Sequence, residues 1–367
     1  MSWKRCGRLG GGVIASLGAV LAVVLLSPQA AFAAAPNDPL YAKQWGLQQI
    51  HAEQAWTKST GSGVVIAVVD SGVDLSHPDL QGKLVPGATF AGCPDPGPYP
   101  CGNGDWKGVD GIGQRADRHG THVAGIAAAA TGNGVGVAGV ARDAKIMPVK
   151  VLEDGGGFDS DIAAGIYYAV DHGAKVVNLS LGGDPTDLAF KITGDFKVMD
   201  DAIQYAYSHG VLTVVAAGNE NSPFCYAFAW QAGVMCVVAT DRNEQHASYS
   251  NFGVNDTQKA VAAPGGAGLA TQQVPLCDED IWSAVPAGTE GFCGNSGFNP
   301  LAGTSMATPH VSGVAALLYA QGRSLNNIIA TLDQTARTPG TGARGVWTPD
   351  YGWGIVDAQA AVNAPMG

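Results

Sequence analysis

The chain has 367 residues, of which 46% are hydrophobic and 14% charged, and its 52 glycines indicate a loop-rich α/β protein rather than a disordered or coiled-coil chain. Its formal net charge is −11. So acidic a chain is a poor partner for nucleic acid or for anionic lipid.

The first 33 residues predict a secretory signal peptide. Three cationic residues precede an apolar run at 11–26, and small residues at 31–33 offer a cleavage site. An uncleaved membrane anchor is the alternative, and no later stretch is apolar for long enough to cross a bilayer. Cleavage would leave 17 cationic and 31 acidic side chains, a net charge of −14, on a secreted protein.

Six of the seven cysteines lie after the predicted cleavage site, and an even number suggests disulfide bonds in an exported protein. Six cysteines allow 15 pairings. Metal ligation is the competing interpretation, but the sequence has no CxxC pair. Proximity along the chain suggests the pairs Cys93–Cys101, Cys225–Cys236 and Cys277–Cys293.

After residue 60, patterns typical of strands alternate with patterns typical of helices. Short apolar runs with β-branched residues predict buried strands at 63–70, 144–152, 174–180, 211–217 and 234–240. Helices are predicted at 160–173, with Ser160 as the cap, and at 198–210, 304–322 and 324–334. The alternation predicts one α/β domain at 34–367, with a doubly wound, mostly parallel twisted sheet and helices on both faces.

Three short segments each contain a side chain with catalytic potential. Asp70 ends the first predicted strand in "VVDSGVD", and His119 opens a small-residue helix in "HGTHVAG". Ser305 stands at a helix start in "GTSMATPHVSG", where unpaired N–H groups and the helix field favour a developing negative charge. Taken alone, each has an ordinary alternative: a turn aspartate, a metal-binding histidine pair or a helix cap.

Together, in the order Asp, His, Ser, these segments resemble the three signature blocks of the subtilisin-like serine proteases, or subtilases. The resemblance runs from about residue 38 to the end, and the segment 37–56 is similar to the mature N-terminus of thermitase-type members. It implies a subtilisin-like fold and a serine endopeptidase, with Ser305 as nucleophile, His119 as general base and Asp70 as the partner of the imidazole.

The resemblance also assigns groups around the catalytic residues. Asn219 in "VVAAGNE" would donate its side-chain amide to the oxyanion, together with the backbone N–H of Ser305. An extended peptide would add as a strand, which implies broad specificity with a preference for apolar residues before the cleaved bond. His122 and His310 are expected to be structural. The residues expected to bind substrate are Gly155, Gly156, Ser180, Leu181, Gly182, Gly183, Ala217 and Gly218.

A structural calcium site is implied in the same way. In the family, a loop that interrupts the helix after the catalytic histidine wraps a cation, and residues 129–139 have the same turn-rich character. All the expected ligands offer oxygen, which suits Ca²⁺. The alternative is an ordinary turn beside two surface aspartates. The expected ligands are Asp38, Asp79, Thr131, Asn133, Val135 and Val137.

The chain departs from the family pattern by insertions near 86–117, 184–197 and 267–298. The first and third, which contain 93–101 and 269–280, are expected to rim the cleft and restrict its substrates. Few residues separate the predicted cleavage site from the thermitase-like start, so the folding prosegment that is usual in secreted subtilases is not evident. Either the protein folds unaided, or a separate folding chaperone or inhibitor assists it. The expected product is a secreted, monomeric protease that acts on proteins or peptides, without a nucleic-acid or membrane partner. A narrow-specificity processing protease and a catalytically silent peptide-binding protein remain as alternatives.

Overall fold

The structure, a computed structural model, describes residues 35–91, 118–153, 156–182, 197–225, 230–253, 259–268, 275–291 and 293–366. All of them belong to one unit, residues 32–367. The predicted signal peptide, the Cys93–Cys101 pair, Gly155 and Gly183 lie outside the described residues, as do most of the insertions at 86–117 and 184–197. Within the described part, no helix combines the length and apolarity needed to cross a membrane.

A seven-stranded sheet lies at the centre of the described segments. Its strands are β1 (Val65–Asp70), β2 (Ala88–Thr89), β3 (Lys145–Lys150), β4 (Val176–Leu179), β5 (Leu212–Ala216), β6 (Val234–Thr240) and β7 (Ala260–Pro264). They run in the order β2-β3-β1-β4-β5-β6-β7, and every neighbouring pair is parallel. The predicted sheet is therefore confirmed, and the five predicted strands correspond to β1, β3, β4, β5 and β6.

Helices cover both faces of this sheet, as predicted. They are α1 (Trp45–Gln49), α2 (Ala52–Ala55), α3 (Arg118–Ala128), α4 (Asp159–Asp171), α5 (Lys197–Ser208), α6 (Thr304–Ala320), α7 (Leu325–Thr335) and α8 (Ala358–Asn363), with 3-10 turns at Tyr41–Lys43 and Pro78–Leu80. Helices α3 and α6 share one apolar core with Ile66 and Val68 of β1, whereas α4 and α5 share a second core with Ala67 and Val69. Since successive side chains of β1 enter opposite cores, residues 65–69 of the strand are all apolar and only the terminal Asp70 is charged.

The predicted helix ends are partly correct. Gly173 and Gly210 follow α4 and α5 with φ values of 89° and 71°, the left-handed backbone that ends a helix. The predicted cap of α4 is wrong, because the helix begins at Asp159 and Phe158 occupies the N-cap position without a side-chain bond. Ser160 therefore lies inside the first turn.

The third predicted insertion, 267–298, contributes to a hairpin that packs against α3. Strands β8 (Ile281–Ala284) and β9 (Phe298–Leu301) pair antiparallel, and β9 ends shortly before α6 begins. The hydroxyl of Ser283 in β8 donates to the carbonyl oxygen of His122 in α3 at 2.7 Å. Two of the predicted disulfides, Cys225–Cys236 and Cys277–Cys293, are present.

Candidate active site

Asp70 and His119 form a hydrogen-bonded pair at the carboxyl end of the central strand β1. The Asp70 side chain is fully buried, and the ring of His119, the second residue of α3, is 35% exposed. The ring Nδ1 lies 2.8 Å from Asp70 Oδ1, so the neutral imidazole carries its hydrogen on Nδ1 and keeps Nε2 as its basic nitrogen. A carboxylate placed in this way fixes both the tautomer and the orientation of the ring.

Two residues that the sequence reasoning missed hold this pair in place. The backbone N–H of Ser71 donates to Asp70 Oδ1 at 2.7 Å, and the Ser71 hydroxyl accepts the N–H of Gly120 in α3 at 3.1 Å. The ammonium group of Lys150, buried at the end of β3, donates to the Ser71 carbonyl oxygen at 2.6 Å. The turn after β1 therefore positions the carboxylate and the start of α3 together.

Ser305 is the second residue of α6 and lies at the same edge of the sheet. Strand β4 pairs with β1, so that Ser180, directly after β4, lies at the edge where Asp70 ends β1. The Ser305 hydroxyl donates to the Ser180 carbonyl oxygen at 3.2 Å, and the Ser180 hydroxyl donates to the Ser305 carbonyl oxygen at 2.8 Å. Pro309 has no N–H to offer that carbonyl within the helix, so Ser180 supplies the missing donor.

Asn219 lies beyond the end of β5, against the first turn of α6. Its Oδ1 accepts the backbone N–H of Thr304 at 2.9 Å and the Thr304 hydroxyl at 3.1 Å. These bonds fix the oxygen end of the amide toward the helix, so that the Nδ2 end is oriented away from Thr304. A β-carbon added at Gly303 would lie 3.7 Å from the Ser305 nitrogen and 3.8 Å from Asn219 Nδ2, so both donors border the same space.

The other predicted substrate-binding residues that the structure describes lie close to the same edge. Gly156 follows β3 and forms a backbone bridge with Glu153, and a β-carbon at Gly156 would meet no atom within 4 Å. Phe158, close by, is 70% exposed. The remaining described members of the set follow β4 or β5 directly: Ser180, Leu181, Gly182, Ala217 and Gly218.

The two aspartates of the predicted cation site are both buried and meet at the loop 131–139. Asp38 accepts the backbone N–H groups of Gly132 and Asn133, and Asp79 accepts Asn133 Nδ2 and the backbone N–H of Val137, both at 2.8 Å. Burial raises the pKa of Asp79 to about 7, and the negative charge of Asp38 adds to this rise. No cationic side chain among the described residues pairs with either carboxylate.

The other predicted ligands lie in the same loop. The Asn133 Oδ1 accepts the N–H of Val135 at 2.8 Å, and the Thr131 hydroxyl donates to the Ala129 carbonyl oxygen. Two buried carboxylates without a cationic partner fit a cation, because isolated buried charge is costly. Within the described residues no cluster of three or more His, Cys, Asp or Glu side chains forms a metal site, so carbonyl and amide oxygens would have to complete the coordination.

His122 and His310 are completely buried and bond to backbone. His122 Nε2 lies 3.0 Å from the Asn299 carbonyl oxygen, and His310 Nδ1 lies 2.9 Å from the Met306 carbonyl oxygen. Burial lowers the pKa of His122 to about 3 and that of His310 to about 4. Both rings are therefore neutral in a folded protein at pH 7.

Comparison with known proteins identifies the family to which the chain belongs. Residues 61–354 match the Subtilase family, peptidase S8. The chain is 40% identical to thermitase of Thermoactinomyces vulgaris over 89% of its own length and 99% of the relative's. It is 37% identical to an extracellular basic protease of Dichelobacter nodosus, covering 91% of this chain but 57% of that protein. A solved structure of a protease from Pseudoalteromonas arctica superposes with a TM-score of 0.68 at 34% identity, covering 89% of this chain and 98% of that one.

Proposed function

The chain belongs to the subtilase family of serine proteases, and on this premise we propose that it is a secreted endopeptidase of broad specificity. Removal of the signal peptide 1–33 would leave a single peptidase domain, 34–367. The observation that carries the proposal is the 2.8 Å bond between His119 Nδ1 and Asp70 Oδ1, at the sheet edge where α6 presents Ser305. Proteins of the surrounding medium would be its substrates.

Ser305 is the proposed nucleophile. Its hydroxyl turns from the Ser180 carbonyl toward His119, whose Nε2 takes the proton as the oxygen attacks the scissile carbonyl. The Asp70 carboxylate stabilises the resulting imidazolium through Nδ1–H. The imidazolium then protonates the leaving amine, which leaves an acyl-enzyme. A water molecule, deprotonated by the same ring, hydrolyses the acyl-enzyme and restores the Ser305 hydroxyl.

The proposed oxyanion hole combines Asn219 Nδ2 with the backbone N–H of Ser305. Both donors border the space beside Gly303, and Thr304 holds the other end of the Asn219 amide, so the donor needs little reorganisation when charge develops. Loss of one such donor costs about 10²–10³-fold in kcat, a range that was measured in a subtilisin itself. The loss in kcat caused by Asn219→Leu is expected to lie in this range.

The substrate would bind as an extended strand between Gly156 and the segment Ser180–Gly182. Main-chain bonds of this kind tolerate many side chains, which accounts for the broad specificity. The pocket for the residue before the cleaved bond, bordered by Ala217 and Gly218, lacks a buried ionised group among its described residues and favours an apolar side chain. Glu220, exposed beyond this wall, would attract a basic residue at the rim.

Covalent labelling tests the proposed nucleophile. A fluorophosphonate is expected to label the purified protein once per molecule and to abolish peptide hydrolysis, because it reacts only with an activated hydroxyl. Ser305→Ala is expected to prevent both labelling and hydrolysis while keeping the wild-type circular dichroism spectrum. Labelling that persists in Ser305→Ala, or hydrolysis that resists the reagent, would contradict the assignment, and an unlabelled, inactive wild type would support the silent binding protein.

A narrow processing protease is the second candidate, favoured by the hairpin β8–β9. This part of the insertion 267–298 contacts α3, the helix that carries His119, through Ser283, and the bond Cys277–Cys293 closes the adjoining loop. Digestion of denatured casein, followed by sequencing of the fragments, separates the two functions. Many cleavage sites with apolar residues before the cut are expected, and a single cleavage motif would favour the processing enzyme.

Asp38 and Asp79 would hold one structural calcium ion, with Thr131, Asn133, Val135 and Val137 supplying further oxygens. When bound, the ion supplies only positive charge, which compensates the two buried carboxylates. These carboxylates would then anchor the N-terminal segment to the loop 131–139. Calcium is expected to raise the melting temperature of Ser305→Ala protein, a background that avoids self-digestion. The increase is expected to vanish in Asp79→Asn and to persist in Asp143→Asn, an exposed aspartate that serves as control. An equal response in both variants would rule the site out.

A further inference from the structure

Asn251, a residue outside all the motifs, organises the loop that carries Asn219. It lies eleven residues after β6 and is 2% exposed. Its neighbour Ser250 ties it to that strand, because the Ser250 hydroxyl donates to the Asn251 carbonyl oxygen at 2.8 Å and accepts the backbone N–H of Ala239 at 2.9 Å. The Asn251 side chain is thus mounted on the central sheet rather than on a free loop.

The Asn251 amide bonds to the loop on both sides of Asn219. Nδ2 donates to the Ala217 carbonyl oxygen at 3.0 Å and to Glu220 Oε2 at 2.8 Å. Oδ1 accepts the backbone N–H of Glu220 at 3.1 Å and that of Ser222 at 2.8 Å. Two donors and two acceptor positions exhaust the capacity of a side-chain amide. No other natural side chain of this size offers the same set.

The backbone before Asn219 lies directly against Asn251. The backbone N–H of Asn251 donates to the Gly218 carbonyl oxygen at 2.9 Å. Gly218 has a φ of 110°, and a β-carbon there would lie 2.2 Å from Asn251 Nδ2. The loop can approach the amide this closely only because residue 218 is glycine.

Two residues therefore define the position of the Asn219 amide from opposite sides. Thr304 fixes its oxygen from the nucleophile helix, and Asn251 fixes the backbone immediately before and after it from the sheet. We propose that Asn251 is a positioning residue for the oxyanion donor. The inference rests on the proposed function, since it assigns Asn219 to the oxyanion hole. A group that positions the oxyanion donor acts more strongly on the stabilisation of the transition state than on the binding of the ground-state peptide.

Asn251→Asp tests the inference with the smallest change in shape. The carboxylate keeps both acceptor positions, loses both donors and brings a second negative charge to Glu220. We expect kcat to fall by about 10–100-fold, because a displacement of about 1 Å at a catalytic group can cost 10²-fold in rate. The KM for a peptide anilide is expected to rise by less than kcat falls, since Asn251 also bonds to Ala217 and Gly218 at the border of the pocket. The inhibition constant of a peptide aldehyde is expected to rise in parallel with the loss in kcat/KM.

A second substitution separates positioning from general damage. In the Asn251→Asp background, Glu220→Gln offers an amide to the new carboxylate and reverses the polarity of the broken bond, so kcat is expected to recover by about tenfold relative to the single variant. Gln44→Glu is the matched control: its buried amide clamps Ala138 in the same way but lies away from the oxyanion loop. This control is expected to lose stability and to keep the wild-type kcat.

The outcomes distinguish the inference from the function on which it rests. A wild type that neither reacts with fluorophosphonate nor cleaves peptides would defeat the function. An active wild type whose Asn251→Asp variant keeps kcat, or raises only KM, would defeat the inference alone, as would an equal loss of kcat in Gln44→Glu. Should Asn251→Asp fail to fold, Asn251→Ser, which keeps one donor and one acceptor, is measured instead, with a smaller fall in kcat expected and an unchanged kcat overturning the proposal.

Discussion

The two buried histidines make the folded protein sensitive to acid. An imidazole in the unfolded chain binds a proton near pH 6.5, whereas burial lowers the pKa of His122 to about 3 and that of His310 to about 4. Between these values the unfolded state binds more protons than the folded state, so the free energy of unfolding falls as the pH falls. Each ring is expected to cost about 3 kcal/mol between pH 7.5 and pH 4, a large share of a typical stability of about 5–15 kcal/mol.

His310→Leu isolates one of these contributions. The ring Nε2 is buried without a partner among the described residues and packs against Gly46, so an apolar side chain satisfies the site without a proton. Whatever its stability at pH 7.5, the variant is expected to lose about 3 kcal/mol less than the wild type on acidification to pH 4. Urea unfolding of both proteins in the Ser305→Ala background, followed by circular dichroism at constant ionic strength, measures this difference.

His172→Leu is the matched control for that experiment. The His172 ring makes the same local bond, from Nδ1 to the carbonyl oxygen of Tyr168 four residues before it, but it is exposed on the surface. Its removal is expected to leave the pH dependence of the wild type unchanged. If His310→Leu and the wild type lost equal free energy on acidification, the reasoning from burial would be refuted.

Three further predictions concern the site and its frame. Gly120→Ala is expected to lower kcat at least tenfold and to lower the free energy of unfolding by about 1–3 kcal/mol. The reason is that a β-carbon at this position would lie 2.3 Å from the Gly72 carbonyl oxygen and would displace α3. A variant with the kinetics and the urea midpoint of the wild type would contradict this prediction. Pro309→Ala restores a helical N–H that competes with the Ser180 hydroxyl for the carbonyl oxygen of Ser305. We expect kcat to fall several-fold while the melting temperature is maintained. An unchanged kcat would show that the Ser180 hydroxyl is dispensable for catalysis. Burial alone would raise the pKa of Asp357, but bonds from a histidine, a backbone N–H and an arginine lower it to about 2. Asp357→Asn is therefore expected to lower the free energy of unfolding by about 1–2 kcal/mol at pH 7 and not at all near pH 2. A loss that is independent of pH would argue against the ion pairs.

The sequence predicts the central strands well because their chemistry is uniform. Strands β1 and β3 to β6 are apolar on both faces, since helices cover each face, and such runs stand out from their surroundings. The two-residue β2 and the short, alanine-rich β7 carry too little pattern to be found. Strands β8 and β9 contain Trp282, Ser283 and Pro300, and their pairing depends on tertiary contacts.

The same contrast applies to the candidate site. Asp70, His119 and Ser305 stand in three distinctive segments, whereas Ser71 and Lys150 act through single hydrogen bonds to a backbone turn. Asn251 sits in an ordinary "YSNFG" segment, and its role depends on which loop lies opposite, which no local pattern records. A buried polar residue close to a glycine with positive φ is the signal that could have identified it, once the fold was known.

The order of the strands also determines when activity can first arise. The helix α6 packs across β4, β5, β6 and β7, and the groups assigned to catalysis meet only after β1 has gained β3 on one side and β4 on the other. Parallel pairing between distant segments is a slow step in folding. Because Ser305 follows all seven strands of this sheet along the chain, the proposed cleft cannot assemble before every one of these strands is available for pairing.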